Sequence, residues 1–328
     1  MALKLTSYYK GKDIPDNLPG DNIFHSKDLF LMYEAASGYD PLLIVATIKD
    51  EPVARLLAVV RRQAFLVPAS LGRRCEIVGI GEYFGENIDK EAIFGVMLEH
   101  LTNEAFRSSY IIEFRNLEHA LDGYKHLRAN KYFAINWLRV RNSLHSVEDV
   151  EERFSPSRLR QVKNGLKNGA VVKEAETIEE IQEFSHMLHK IYSFKIRKYF
   201  PTLQFFKLMD QWLISKNLAK IYVVKYKGKI IGGSSCLYTK DNAYLWFSGG
   251  MTKSLSKQNP GILAIWAALK DAKARGCRHL EFMDVGLPFQ KHGFRTFVLH
   301  FGGKQSSTRR WFKIRTNFLN TIFRKIYS

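Results

Sequence analysis

The sequence predicts a mixed α/β (α+β) protein built from two units of the same element order, each a mixed central sheet flanked by helices. Three observations carry this. The order hairpin, strand, helix, strand occurs twice, first over residues 42–48, 53–60, 75–78, 89–106 and 110–114, then over 221–226, 230–238, 243–248, 261–275 and 279–283. The chain has 328 residues, two domains' worth at roughly 150 residues per domain. Hydrophobic residues make up 46% and charged residues 25%, enough apolar side chain to fill real cores and too much for wholesale disorder. The expected units are residues 1–145 and 146–328, with a ligand cleft between the two copies.

Each element has a local reason. Residues 11–21 are rich in Pro, Gly and Asp and read as irregular chain, and Ser26 can cap a short amphipathic helix over 26–37. The β-rich runs 42–48 and 53–60 flank Lys49, Asp50, Glu51 and Pro52, a turn of hairpin length. After the helix at 89–106 and the strand at 110–114 come a second helix near 117–129 and a closing strand over 133–141. The second half opens with helices near 156–168, 178–196 and 203–215. A second hairpin follows, turning at Lys227, Gly228 and Lys229. Gly232 and Gly233 at the start of its second strand permit a bulge or a close backbone approach. Residues 308–328 carry Arg309, Arg310, Lys313, Arg315, Arg324 and Lys325 and no acid, while Trp311, Ile314, Phe318, Ile322 and Ile326 recur at helical spacing, so the tail reads as a basic amphipathic helix.

Charge narrows the function classes. The chain has a formal net charge of +18, with −2 over residues 1–150 and +20 over 151–328. A field of that sign attracts nucleic acid, phosphorylated small molecules or an anionic membrane face. The longest aliphatic run, 42–48, is far too short to span a bilayer, and the first 13 residues hold no apolar signal core, so a soluble cytoplasmic protein is expected. Cys75, Cys236 and Cys277 form no CxxC pair and fit reduced thiols, which argues against a disulfide framework or a zinc finger.

The hairpin at 227–233 resembles the GNAT acyltransferase unit, in which a turn glycine and a later glycine bracket the start of a central strand. The runs 244–250, 260–266, 272–284 with Gly286, and 293–303 stand in an order that resembles the FemABX-like family of peptidyl and aminoacyl transferases, built from two GNAT-like domains. The basic stretch 155–169 resembles that family's helix at the start of the second half. The resemblance covers most of 150–303 and, more loosely, 22–141. It implies formation of an N-acyl bond, with aminoacyl-tRNA as donor, an anionic peptidoglycan precursor as acceptor, and no required cofactor or metal. One alternative keeps the fold and uses acyl-CoA on a sugar or lipid-linked amine. Another is a non-catalytic module that binds nucleic acid or membrane.

Gly261 and Ile262 open the helix whose first amides, in the resembled unit, meet the CoA pyrophosphate, and Lys253 and Lys257 lie just upstream. The unit's usual Q/R-x-x-G-x-G/A loop is absent, as it is in Fem-like proteins, which tilts the donor towards charged tRNA. Arg158, Arg160 and Lys163 are spaced to offer a positive face to phosphates. Residues 192–200 interleave cations with aromatics, a composition suited to stacking on bases. Asp284 follows a strand that ends at the ligand side of such sheets and is the candidate carboxylate for orienting or deprotonating an amine. Gly293, Phe297, Phe301, Gly302 and Gly303 match the family's closing motif, with Val298 where a lysine associated with the transfer site usually stands. Lys291, His292, Arg295 or His300 would then supply positive charge for a developing oxyanion. The tail at 311–326 is the candidate for peripheral membrane contact.

Overall fold

A computed structural model describes residues 3–62, 68–86, 88–117, 119–146, 148–192 and 200–327. In chain order the first elements are β1 (Leu3–Tyr8), α1 (Lys27–Ala35), β2 (Tyr39–Ile48), β3 (Glu51–Arg62), α2 (Ala69–Gly72), β4 (Arg73–Val78), β5 (Glu82–Tyr83) and α3 (Lys90–Ala105). Then come β6 (Ile111–Arg115), α4 (Tyr124–Ala129), β7 (Phe133–Ser143), α5 (Pro156–Lys167), β8 (Val171–Glu174), α6 (Ile178–Ile191) and α7 (Leu203–Met209). The chain continues with β9 (Ala219–Tyr226), β10 (Lys229–Tyr238), β11 (Asn242–Gly250), α8 (Pro260–Ala274), β12 (His279–Phe282), α9 (Gly293–Leu299), β13 (Lys304–Ile314) and α10 (Asn317–Ile326).

These elements form two compact units, Met1–Trp137 with Ser307–Ser328, and Leu138–Ser306. The expected division into 1–145 and 146–328 differs from this at the closing segment, which belongs to the first unit. The reason is a ladder: Arg310 to Ile314 of β13 run antiparallel to β6, with Arg310 opposite Arg115 and Ile314 opposite Ile111. Trp311 is thereby fully buried in the first unit's core with Phe94, Phe114 and Tyr132. The expected tail helix is therefore confined to α10, and Trp311 and Ile314 are strand residues rather than parts of an amphipathic face.

In the first unit the strand order is β1-β2-β3-β4-β6-β13. Among the described residues only β4 and β6 are parallel, and a parallel neighbour needs a crossover, which α3 provides. Asp89 caps α3 by accepting from the Ala92 amide at 2.9 Å, and the helix buries Ile93, Phe94, Met97, Leu98 and Leu101 against the sheet. The β2–β3 turn is tighter than expected. Lys49 and Asp50 both take positive φ, 54° and 64°, and Glu51 and Pro52 already belong to the strand; a two-residue turn of this hand matches the twist of the paired strands.

The second unit repeats the design with the order β7-β12-β11-β10-β9-β8. Here β11 and β12 are the parallel pair and α8 is the crossover. The sheet closes on Val140 to Ser143 of β7, antiparallel to β12. The strand expected to end the first half is thus shared out, with its later residues in the second unit. The β9–β10 turn again carries two positive φ values, 49° at Lys227 and 77° at Gly228, and a register shift between Ile230 and Gly232 marks the bulge its glycines permit. Every residue of β10 after Lys229 is buried, because α8 covers one face and α6 the other. Three helices are shorter than expected. The second helix of the first unit starts at Tyr124, α6 stops at Ile191, and α7 gives way at Asp210–Ile214 to a π-helical turn.

Candidate functional site

The second unit's sheet opens where its two parallel strands part. The β11–β12 pairing runs only from Asn242 opposite His279 to Leu245 opposite Phe282. Beyond it β11 continues through Trp246, Phe247, Ser248, Gly249 and Gly250, and burial falls from complete to partial at Trp246. Such a strand end carries backbone groups without a neighbour on one side, and these can pair with a ligand's amides. One flank is closely packed: Trp246 and Phe247 pack against Phe205 and Phe206 with ring centroids 5.3 to 6.2 Å apart, and the Tyr192 hydroxyl donates to the Ser248 carbonyl at 3.0 Å.

The start of α8 presses on this strand. A Cβ on Gly250 would lie 2.3 Å from the Gly261 amide nitrogen, and one on Gly232 would lie 2.8 Å from the Pro260 carbonyl oxygen. The first turn offers few amides to an anion. Pro260 at the first helical position has none, and Ile262 and Leu263 both donate to the Asn259 carbonyl at 3.0 and 3.1 Å. Gly261 does lie at the helix start as expected, but Ile262 does not serve as an anion contact, because its amide is engaged and its side chain is buried.

Helix α5 braces that start. Asn259, in the left-handed region at φ 48°, donates from Nδ2 to the Gln161 carbonyl at 3.1 Å, Asn168 Nδ2 donates to the Lys257 carbonyl at 2.9 Å, and Gln258 Nε2 reaches the Asn168 carbonyl at 3.4 Å. Sequence reading missed the brace between Asn259 and Gln161. The Asn259-Pro260 pair, a turn-initiating dipeptide just before a helix, is the signal that could have found the first; nothing local marks the second.

The three basic residues expected on one face of α5 divide. Arg160 and Lys163 are exposed and, about 60° apart at 100° per residue, share a face with Lys167. Arg158 points the other way and is 6% exposed, its guanidinium 4.5 Å from the Phe297 ring and 4.6 Å from the Phe301 ring. It donates from Nη1 to Gln161 Oε1 and from Nη2 to the Phe297 carbonyl, both at 3.1 Å, and burial lowers its pKa. Arg158 is therefore a pin between α5 and α9, not a phosphate contact, because Ser155 caps α5 so that Arg158, Val162 and Gly165 form the inward stripe.

Asp284 is exposed just beyond β12, where its Oδ1 accepts from the Gly286 amide at 3.4 Å. The loop after it is tied by Arg295, which donates from Nη1 to the carbonyls of Val285 at 3.1 Å and Leu287 at 2.8 Å, and from Nη2 to that of Gln290. His292 caps α9 by accepting from the Arg295 amide at Nδ1, 3.2 Å. Arg295 is thus committed to the loop and is not a mobile cation. Lys291, His292 and Arg295 do line one open hollow of about 540 Å³ with Phe289, Gln290 and Thr296. His300 is not part of it. It stands past the far end of α9, about 10 Å along the helix axis, with its Nδ1 3.3 Å from Ser155 Oγ. His300, expected with these residues as a source of positive charge, thus lies at the other end of α9. Val298 is fully buried in the second unit's core, so the position of the resembled family's lysine faces apolar packing here. Of residues 192–200, 193–199 lie outside the described residues, and the two ends are packed inward: the Phe200 ring lies tilted 4.9 Å from Tyr192 and edge-on 5.4 Å from Phe247.

Residues 157–291 match the family described as Acetyltransferase (GNAT) domain. The whole chain superposes on a crystal structure of FemX with a TM-score of 0.69 at 12% identity, covering 99% of this chain and 100% of that one. A tandem GNAT protein from the clavulanic acid biosynthesis pathway gives 0.59 at 10% identity, covering 95% and 98%. The C-terminal domain of a lysylphosphatidylglycerol synthetase from Agrobacterium fabrum, described as putative, gives 0.54 at 12%, covering 82% and 84%. No curated protein matches the chain in sequence. The chain accordingly has the tandem GNAT fold, and residues 157–291 of its second unit are similar to the acetyltransferase (GNAT) domain family.

Proposed function

We propose that the protein transfers an aminoacyl group from charged tRNA to an amine of an anionic cell-wall precursor. The observation that carries this over CoA chemistry is the start of α8. A pyrophosphate cradle needs several free amides, and here Pro260 and the bonds to the Asn259 carbonyl leave Gly261 alone, held against Gly250. Phosphate binding falls instead to side chains, and Arg160, Lys163 and Lys167 on α5 with Lys257 in the braced loop are exposed to make it. The +14 net charge of residues 138–306 suits both a tRNA and a phosphorylated acceptor.

In the reaction the acceptor nitrogen attacks the ester carbonyl, a C–N bond forms, the C–O bond to the ribose breaks, and the proton that the amine gives to a base is returned to the departing ribose oxygen, which leaves as the tRNA's hydroxyl. Asp284, exposed at the end of β12, takes the role of that base, and the end of β11 that runs on beyond β12, paired on its other side with β10, aligns the acyl group through its backbone. The second reading, acyl-CoA-dependent N-acetylation of a sugar or lipid-linked amine, is favoured by the family match over residues 157–291. Titration of charged and uncharged tRNA against the protein, with acetyl-CoA as competitor, separates the two. Saturable preference for charged tRNA is expected; displacement by acetyl-CoA at micromolar concentration would transfer the assignment to the second reading.

A further inference from the structure

We propose that α10 is a membrane-contact helix that lies flat in the surface of a bilayer carrying anionic phospholipid. This concerns the first unit and does not depend on the reaction assigned to the second.

The helix has two edges. Phe323 and Tyr327 stack on Phe133 at 5.6 and 5.9 Å, and Asn320, 3% exposed, donates to the Lys131 carbonyl at 3.0 Å while accepting from the Ile314 amide at 2.9 Å. That edge fixes the helix to the first unit. The other edge holds Phe318, Ile322, Ile326 and Leu319 within an arc of about 100°, and they are 73%, 38%, 64% and 36% exposed. Four large apolar side chains on one helix edge form a contiguous patch, not the scattered exposure of an ordinary surface. With ten residues α10 is about 15 Å long, too short to span a bilayer and suited to lying in its surface.

Charge identifies what covers the patch. Residues 307–328 hold no acid, and of their cations Arg315 and Lys325 are exposed next to the apolar edge, whereas Arg310 is buried against Glu113. Anionic headgroups complement those cations while acyl chains receive the apolar edge. A second copy of the chain would bring the same cations against each other across a twofold axis. Nucleic acid would satisfy the cations but leave Ile322, Ile326 and Leu319 in water, since stacking on bases requires rings.

The test is co-sedimentation of the full-length protein with vesicles of phosphatidylcholine alone and of phosphatidylcholine with about one-third phosphatidylglycerol. Expected are binding to the anionic vesicles only, weakening with salt, and a drop of at least about tenfold in the double variant Phe318→Ser, Ile322→Ser. Thermal melting of the variant should match the parent, because neither side chain belongs to a core; Ile322→Leu should bind like the parent and guards against a variant that fails for other reasons. Equal binding by parent and double variant would overturn the proposal. So would a parent that ignores anionic vesicles, a dimer in sedimentation velocity that the double variant abolishes while vesicle binding persists, or loss of tRNA affinity with vesicle binding unchanged.

Discussion

Gly250 and Gly261 meet so closely that a single added methyl on the first would stand 2.3 Å from the amide nitrogen of the second. The contact joins the open end of β11 to the start of α8, the two elements between which the acyl group is expected to lie. Gly250→Ala must push the helix start away, since the atoms it meets are backbone and cannot swing aside. We expect a loss of transfer rate of at least about tenfold with a smaller fall in melting temperature, checked by single-turnover kinetics beside calorimetry. An unchanged rate would separate this contact from the chemistry.

The division of the basic residues on α5 predicts two different phenotypes. Arg158→Ala leaves Phe297 and Phe301 without the guanidinium between them and should cost about 2–4 kcal/mol of stability by urea unfolding. Arg160→Ala and Lys163→Ala, both on the exposed face, should leave stability within about 0.5 kcal/mol of the parent. Each should instead lower the salt dependence of tRNA binding by about 0.7–0.9 in the log–log slope. A salt slope that ignores both would remove α5 from the phosphate surface.

Asp284→Asn keeps the size of the side chain and its ability to accept from the Gly286 amide. If the carboxylate is the base, kcat should fall by about 10²–10⁴ with tRNA affinity unchanged. His300→Ala should leave kcat near the parent value, because His300 stands beside Ser155 at the other end of α9.

His25 makes the first unit sensitive to mild acid. It is fully buried, and its Nδ1 accepts from the Leu57 amide at 3.1 Å. Burial, assisted by the nearby Arg55 charge, lowers its pKa to about 3. The imidazole folds neutral, so the unfolded state binds the extra proton first. Its contribution is complete above about pH 6.5 and is lost at roughly 1.4 kcal/mol per pH unit as pH falls from there towards 3. Glu76 adds a second loss at lower pH. Burial would raise its carboxyl, but Arg115, Arg61 and Arg74 outweigh that and hold it down to about 2, so its contribution fades as pH falls from about 4.5 to 2. Urea unfolding from pH 8 to 5 should show the His25 slope, and His25→Asn should flatten it.

Much was legible in the chain by itself, for local reasons. Apolar runs such as 42–46, and 53–60 with Arg55 alone breaking it, read as strands covered on both faces because turn residues bound them, and the turn chemistry of Lys49-Asp50 and Lys227-Gly228 sets the hairpins between such runs. Caps at Ser26, Ser155 and Asp89 mark helix starts because one side-chain oxygen satisfies one orphan amide. The repeated order of these elements carried the tandem fold, and the position of Asp284 just beyond a strand was legible with it.

What only tertiary structure decided is where distant segments pair. Residues 308–314 have a helical spacing of apolar residues, yet they form a strand because the backbone of β6 has an edge that must be hydrogen-bonded, and β13 supplies the partner. The same rule sends Val140 to Ser143 of β7 to β12. Arg158 reads as a surface cation until Phe297 and Phe301 arrive from 139 or more residues away to enclose it. Local sequence sets propensity and pattern, whereas burial and ladder partners are properties of the packed chain, and they decide which charges remain free to meet a substrate.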